Sequence, residues 1–156
     1  MFRRSRSSGS LRRSGAATLE LALTLSILFS ICYGTIEYGY YFFVKNTMQS
    51  AVREGCRAGI VSGATDSSVT AAALNQLLVA GLVTNSTTVS GSGPYTIGNY
   101  TVTISPEPFT SMTVGNTLTV TMTATWGVVG QNFRPEGLIA ASKVLSTAAS
   151  MRKEGD

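Results

Sequence analysis

The side chains that could perform acid–base or nucleophilic chemistry are few and scattered. The 156 residues contain no histidine, so the usual general base and the commonest zinc ligand are both missing. In the last hundred residues the acids before the C-terminal tail are Asp66, Glu107 and Glu136. Spacing leaves a serine–lysine pair with Lys143 open, but nothing in the sequence supports one. The glycine-rich run at residues 91–94 precedes a strand pattern, whereas a phosphate-binding loop precedes a helix. We therefore predict no catalytic, cofactor-binding or metal-binding residues and no enzymatic activity.

The two cysteines are too far apart along the chain to pair. Cys32 lies in an apolar run and Cys56 follows 24 residues later. If the intervening chain is helical, about 36 Å separates them, whereas a disulfide needs α-carbons roughly 6 Å apart.

Positive charge is concentrated at the N-terminus. Five of the twelve basic residues lie in the first thirteen positions, with no acid among them: Arg3, Arg4, Arg6, Arg12 and Arg13. Without residues 1–15, seven basic and eight acidic groups remain, and the net charge falls from +4 to −1. The arginines adjoin an apolar run, which indicates a targeting or topology signal and excludes nucleic acid as the expected partner.

An apolar segment covers residues 16–44, in which the ionisable groups that carry charge at neutral pH are Glu20 and Glu37. As a helix it is about 43 Å long, enough to cross a hydrocarbon core of roughly 30 Å. Aromatic residues crowd its end, as in a membrane-interface belt, and Lys45 follows. The positive-inside rule places the N-terminus in the cytoplasm and exports the rest of the chain. The run is too long for a cleaved secretory signal, but an uncleaved signal anchor remains an alternative.

The sequence Gly15-Ala16-Ala17-Thr18-Leu19-Glu20 stands where the leader meets the apolar run. It resembles the processing site of type IV prepilins, in which a membrane peptidase cuts after the glycine and a glutamate occupies mature position five. Cleavage would expose an α-amine on Ala16, with a pKa near 8, which could neutralise Glu20 of the same or a neighbouring subunit. In the alternative interpretation, Glu20 reaches the head groups at the inner interface; the basic leader favours processing.

Small residues recur every fourth position along this helix. A band of this kind lets helices approach closely in lipid, although hydroxyl groups can instead bond to carbonyls of their own helix. The pattern predicts helix packing through Thr18, Ala22, Ser26, Ser30 and Gly34.

Three motifs in order resemble TadE-like proteins of the Tad (tight adherence, Flp pilus) secretion system. They are Gly-Ala-Ala-Thr-Leu-Glu at 15–20, Gly-Thr-Ile-Glu-Tyr-Gly at 34–39 and Ala-Val-Arg-Glu-Gly-Cys-Arg-Ala-Gly at 51–59. The resemblance implies a pseudopilin or minor pilin of the bacterial inner membrane, processed by a prepilin peptidase. Its implied partners are other pilin or pseudopilin subunits and Tad inner-membrane components. Flp pilins carry tyrosine after the signature glutamate, whereas Leu21 follows Glu20 here, which favours an accessory subunit over the bulk filament protein.

Glu37 allows two interpretations. It lies 17 residues after Glu20, roughly 25 Å along a helix, and so reaches the outer interface. It either contacts a neighbouring subunit through a basic residue or is a solvated interfacial carboxylate.

The predicted fold is α+β: a long N-terminal transmembrane helix followed by a small pilin-like domain. A short amphipathic helix is expected at 69–83 and a loop at 85–94. Strict alternation at 100–105 and 118–126 predicts half-buried antiparallel strands joined by a wide hairpin. The periodicity of residues 142–152 fits a strand or a helix, and a third strand is chosen because residues 149–154 resemble the C-terminal ending of the TadE-like family.

These patterns divide the chain into three parts. Residues 1–15 form a basic leader, 16–61 a transmembrane and extended helix, and 62–156 an exported domain. The predicted function is assembly of Tad pili or the associated secretion and adherence machinery. The alternative is an uncleaved, signal-anchored protein whose sheet domain binds a ligand or partner outside the membrane.

Overall fold

The computed structural model describes residues 9–106 and 112–153, with side chains from residue 15 onward. Its first element, α1, is a continuous helix of 51 residues from Gly9 to Gly59. At 1.5 Å per residue it is about 76 Å long. The first proline of the sequence is Pro94, so nothing in this stretch removes a backbone donor and breaks the helix.

A second helix, α2, covers Asp66–Val79 and packs against α1. It begins with a capping box, in which the Thr65 hydroxyl accepts from the Ser68 N–H and the Ser68 hydroxyl accepts from the Thr65 N–H. The two helices approach closely at Gly55, where an added β-carbon would lie 3.3 Å from the carbonyl oxygen of Val69. Glycine therefore sets the distance between the helices.

The rest of the domain is an antiparallel sheet whose strands follow one another in sequence order. The strands are β1 Val89–Ser90, β2 Tyr95–Ile97, β3 Tyr100–Ser105, β4 Thr117–Thr125 and β5 Val144–Arg152. β4 pairs with β5 over its full length, from Thr117 opposite Arg152 to Thr125 opposite Val144. In β4 the apolar side chains at even positions are buried while the threonines at odd positions face outward, as a half-buried strand requires.

The hydrophobic core lies between this sheet and the C-terminal half of α1. Buried side chains recur on α1 at helical spacing, and they pack on the buried face of β4 and β5. The α1 members are Val44, Met48, Ala51, Val52 and Cys56. The outer end of α1 is thus part of the same core as the sheet.

The connection from β4 to β5 turns back along α1 toward its N-terminal half. It contains a short helix, α3, at Trp126–Val129 and a 3₁₀ turn at Gln131–Phe133. The short helix α3 contacts β4, and the 3₁₀ turn contacts α1. Trp126 is fully buried.

The predicted α+β fold, with a long helix, a short helix and an antiparallel sheet, is confirmed, but the sheet has five strands and not three. The two additional strands, β1 and β2, have two and three residues, too few to show an alternating pattern, and β1 falls in the predicted loop. The third predicted strand corresponds to β5. The second helix begins three residues earlier than predicted, because Thr65 caps it, and ends at Val79. Residues 1–8, 107–111 of the hairpin and 154–156 lie outside the described residues.

Candidate functional site on the N-terminal helix

Glu37 lies on the face of α1 that is turned toward the β4–β5 connection, and it is fully buried. Its Oε2 accepts a hydrogen bond from the backbone N–H of Leu138 at 3.1 Å, and its Oε1 accepts one from Ile139 at 2.9 Å. Hydrogen bonds to a charged acceptor are among the stronger ones in proteins. One carboxylate therefore satisfies two backbone donors a hundred residues away in sequence.

Arg134 completes this arrangement. Its Nε lies 3.9 Å from Oε1 of Glu37, without a hydrogen-bond partner among the described residues, so the attraction between them is Coulombic. Its Nη2 donates to the carbonyl oxygen of Ile139 at 3.1 Å, which closes the turn. We call Glu37, Arg134, Leu138 and Ile139 the Glu37 clamp; it fastens the β4–β5 connection to α1.

An aromatic cluster lies one turn further along α1. The rings of Tyr40 and Phe133 stack with centroids 4.0 Å apart, and Tyr41 meets Trp126 edge-on at 5.2 Å. Burial, with a smaller contribution from Tyr40, raises the pKa of Tyr100 well above its usual range. Part of the predicted aromatic belt therefore packs inside the domain, while Tyr38, Phe42 and Phe43 remain exposed.

Residues 15–33 of α1 are exposed on every side. Their apolar side chains are between 39 and 74% exposed: Leu19, Leu21, Leu23, Leu25, Ile27, Leu28, Phe29 and Ile31. A continuous apolar surface of this size marks an interaction site or a membrane segment. Within the described residues, α1 is the one helix long and apolar enough to cross a membrane.

The predicted processing residues and the first four members of the small-residue band all lie in this exposed part. An added β-carbon at Gly15 would meet no atom within 4 Å. Ser26 shows the alternative in which a hydroxyl group bonds to its own helix, because it donates to the carbonyl oxygen of Ala22 at 2.9 Å. Gly34 differs from the other members, since an added β-carbon there would lie 3.1 Å from Cδ1 of Leu138. Packing of the band against another chain stays a prediction.

The structure corrects one interpretation of Glu37. The interpretation of Glu37 as a solvated carboxylate is wrong, because the β4–β5 connection buries its side chain fully. The subunit contact stays a prediction, but both carboxylate oxygens already bind groups of the same chain. The partners Arg134, Leu138 and Ile139 were not found from the sequence, because no local pattern relates positions about a hundred residues apart.

The remaining features of the described chain are its potential metal ligands, its cysteines and one cleft. The residues searched contain no group of three or more His, Cys, Asp or Glu placed to hold a metal ion. Cys32 is exposed and Cys56 is buried, and both are free, as their spacing predicts. An open cleft of about 440 Å³ separates the start of α2 from β1 and β2, with Asp66, Ser67 and Tyr95 in its lining.

A known protein family matches the segment of α1 that contains Glu37. Residues 15–57 match the family described as TadE, TadE-like protein. This match confirms the resemblance for the exposed half of α1 and nearly all of its packed half, and leaves the sheet outside it. No curated protein and no solved structure matches the chain.

Proposed function

We propose that this chain with a TadE-like N-terminal helix is a minor pilin or pseudopilin that takes part in assembling Tad (Flp) pili or the associated secretion and adherence machinery. The observation that carries the proposal is the division of α1. One half exposes apolar side chains on every side, and the other half is built into a folded domain. A subunit of this form is held by its helix while its domain stays outside the membrane.

Two environments suit the exposed half of α1. In a membrane its apolar side chains contact lipid, and in an assembly they contact the helices of other subunits. The small residues permit close approach in the second case, because a helix without bulky side chains on one band brings its backbone nearer to its neighbour. Other pilin or pseudopilin subunits and Tad inner-membrane components are the proposed partners.

Processing by a prepilin peptidase is part of the proposal. Gly15 is uncrowded and exposed, and glycine weakens a helix by roughly 0.5–1 kcal/mol relative to alanine, so the chain can open locally at this position. Cleavage would leave the α-amine of Ala16 four residues before Glu20, whose side chain is also exposed. In lipid, pairing of this amine with a carboxylate lowers the cost of burying either charge.

The proposed location is the bacterial inner membrane, crossed once, with the N-terminus in the cytoplasm. The arginines of the leader support this orientation by the positive-inside rule. The domain then lies in the periplasm or outside the cell.

The test is the intact mass and N-terminal sequence of the protein extracted from membranes. We expect a mature chain that starts at Ala16, and a Gly15→Val variant that keeps the whole leader. Gly39→Val is the matched control, since Gly39 lies in the same helix and an added β-carbon there meets nothing within 4 Å. It should be processed like the unaltered chain.

A mature chain that keeps its arginine leader would overturn processing and favour the alternative function. That alternative is a signal-anchored protein whose domain binds a ligand, and the cleft between α2 and β1–β2 is the observation that favours it. Counting pili on cells that lack the gene, with and without the restored chain, separates the two. Loss of pili supports assembly, and unchanged pili support ligand binding.

A further inference from the structure

The β4–β5 connection reaches far down α1 toward the exposed half of the helix. We call residues 128–138 the foot segment. At its end Leu138 sits against Gly34, and the Glu37 clamp holds the backbone of Leu138 and Ile139 to the helix. Residues 131–138 of the foot segment are therefore fixed at the height of residues 33–40 of α1. Tyr33 and Ile36 line a cleft with residues 131–135, and Phe133 stacks on Tyr40.

The number of residues needed to cross a membrane indicates where its outer boundary falls along α1. Arg12 and Arg13 keep the start of the hydrocarbon core from lying much before residue 15. A core of roughly 30 Å takes about 20 helical residues, so its outer boundary falls near residue 35 or later. A tilted helix needs more residues to cross, and a later start moves the boundary further along the chain. Either change brings the foot segment deeper and never lifts it away from the lipid.

The side chains of the foot segment fit such a position. Val128, Phe133 and Leu138 are 49, 43 and 52% exposed. The guanidinium of Arg134 is turned inward, to the Glu37 carboxylate and the Ile139 carbonyl. Glu136 is exposed, as a carboxylate that reaches the head groups would be. Gln131 and Asn132 are exposed too, so the surface combines apolar side chains with two amides and one charge, a mixture that suits an element lying in the membrane interface.

We propose that the foot segment is a second membrane contact, seated in the interface of the outer leaflet beside the point where α1 leaves the lipid. Lipid is the occupant because this surface continues the lipid-facing surface of α1 at the same height. With two contacts, the domain is held in one orientation relative to the membrane. The inference rests on α1 crossing a membrane and does not depend on the Tad assignment.

Nitroxide labels on the full-length chain test the inference. In a Cys32→Ser parent, single cysteines replace Val128 and Leu138. Leu28 serves as the reference inside the span, and Val61, 60% exposed and two residues beyond the C-terminal end of α1, as the reference outside. Cys56 is fully buried, and the labelled parent measures any background from it. The proteins are placed in vesicles of phosphatidylethanolamine and phosphatidylglycerol at 3:1, and collisions with oxygen and with a water-soluble nickel chelate are compared.

Labels at positions 128 and 138 should collide more with oxygen than with nickel, as at position 28, and the label at 61 should show the reverse. Nickel-dominated collisions at 128 and 138, with 28 still in lipid, would overturn the inference and leave the membrane span intact. Nickel-dominated collisions at 28 as well would remove the premise and the inference together. Collisions at 128 and 138 that fall as protein density rises would assign the surface to a second copy, which also overturns it.

The variants need a check that the foot segment stays in place. Leu138→Cys removes a side chain that rests on Gly34, whereas Val128→Cys changes a side chain outside the Glu37 clamp. Unfolding in urea at the same midpoint as the parent qualifies each variant. If Leu138→Cys fails this check, Val128→Cys alone decides the outcome.

Discussion

The two halves of α1 belong to one unbroken helix and have opposite surroundings. Residues 15–33 are exposed all round, whereas from residue 34 onward one face is buried at steps of three and four. The buried positions are Gly34, Glu37, Val44, Met48, Ala51, Val52, Gly55, Cys56 and Gly59. An apolar surface all round suits lipid or other helices, and an apolar stripe suits a folded domain. The change of pattern marks where the chain passes from one environment to the other.

The two glutamates of the apolar segment show the same contrast. Glu20 is exposed in the first half, and Glu37 is buried in the second with two backbone donors and an arginine beside it. Their chemistry is identical, so their roles follow from what surrounds them. Glu20 is open to its surroundings, whereas the chain itself supplies the hydrogen-bond donors of Glu37.

The largest expected difference comes from removing one large apolar side chain in each half. Met48→Ala leaves a cavity in the core and should lower the free energy of unfolding by about 2–5 kcal/mol. Leu25→Ala, at a position 39% exposed, should leave domain stability unchanged. Urea unfolding in detergent, followed by the fluorescence of Trp126, the one tryptophan and a buried one, measures both. Equal losses would mean that the two halves do not differ in packing.

The next largest effect compares the two glutamates. Glu37→Gln removes the attraction to Arg134 and leaves one backbone N–H of Leu138 or Ile139 without an acceptor, at a cost of about 1–3 kcal/mol. Hydrogen exchange of these two amides should become faster. The matched control is Glu20→Gln, which should change neither the unfolding of the domain nor these amides. Unchanged exchange in Glu37→Gln would show that the Glu37 clamp does not hold the connection.

Two glycines of the second half should respond with opposite signs. Gly55→Ala brings a methyl group within 3.3 Å of the Val69 carbonyl oxygen, a backbone atom that must move, and should destabilise the domain by about 1 kcal/mol. Gly39→Ala meets nothing within 4 Å and should stabilise the helix by about 0.5–1 kcal/mol. The same unfolding measurement applies. Stabilisation by both substitutions would contradict close packing of α1 on α2.

The smallest effect is expected at the boundary between the halves. Gly34→Ala places a methyl group 3.1 Å from Cδ1 of Leu138, the end of a flexible, half-exposed side chain that can rotate away. The gain in helix propensity offsets this shift, so the free energy of unfolding should change by less than about 0.5 kcal/mol. A large loss of stability would mean that the foot segment is held more rigidly than its exposure indicates.

Several features were accessible from the sequence because they depend on local patterns. The apolar run, its basic leader and the three TadE-like motifs each lie within a few turns of one helix, and the alternation in β3 and β4 fixes which side chains are buried. The short strands β1 and β2 were missed, since two or three residues cannot show a period. The end of α2 was misplaced because the apolar residues Leu82 and Val83 continue past Val79, where the helix stops.

The sequence by itself determined where the chain is apolar all round and where the strands alternate, because hydrophobic burial repeats with the geometry of each element. Only the tertiary structure decided the role of Glu37, since its partners come from a loop a hundred residues later, brought to α1 by the pairing of β4 with β5. The same folding step placed the foot segment beside Gly34. A carboxylate gives no local sign of whether it will face water, lipid or a pair of backbone donors, because that depends on which distant segment packs against it.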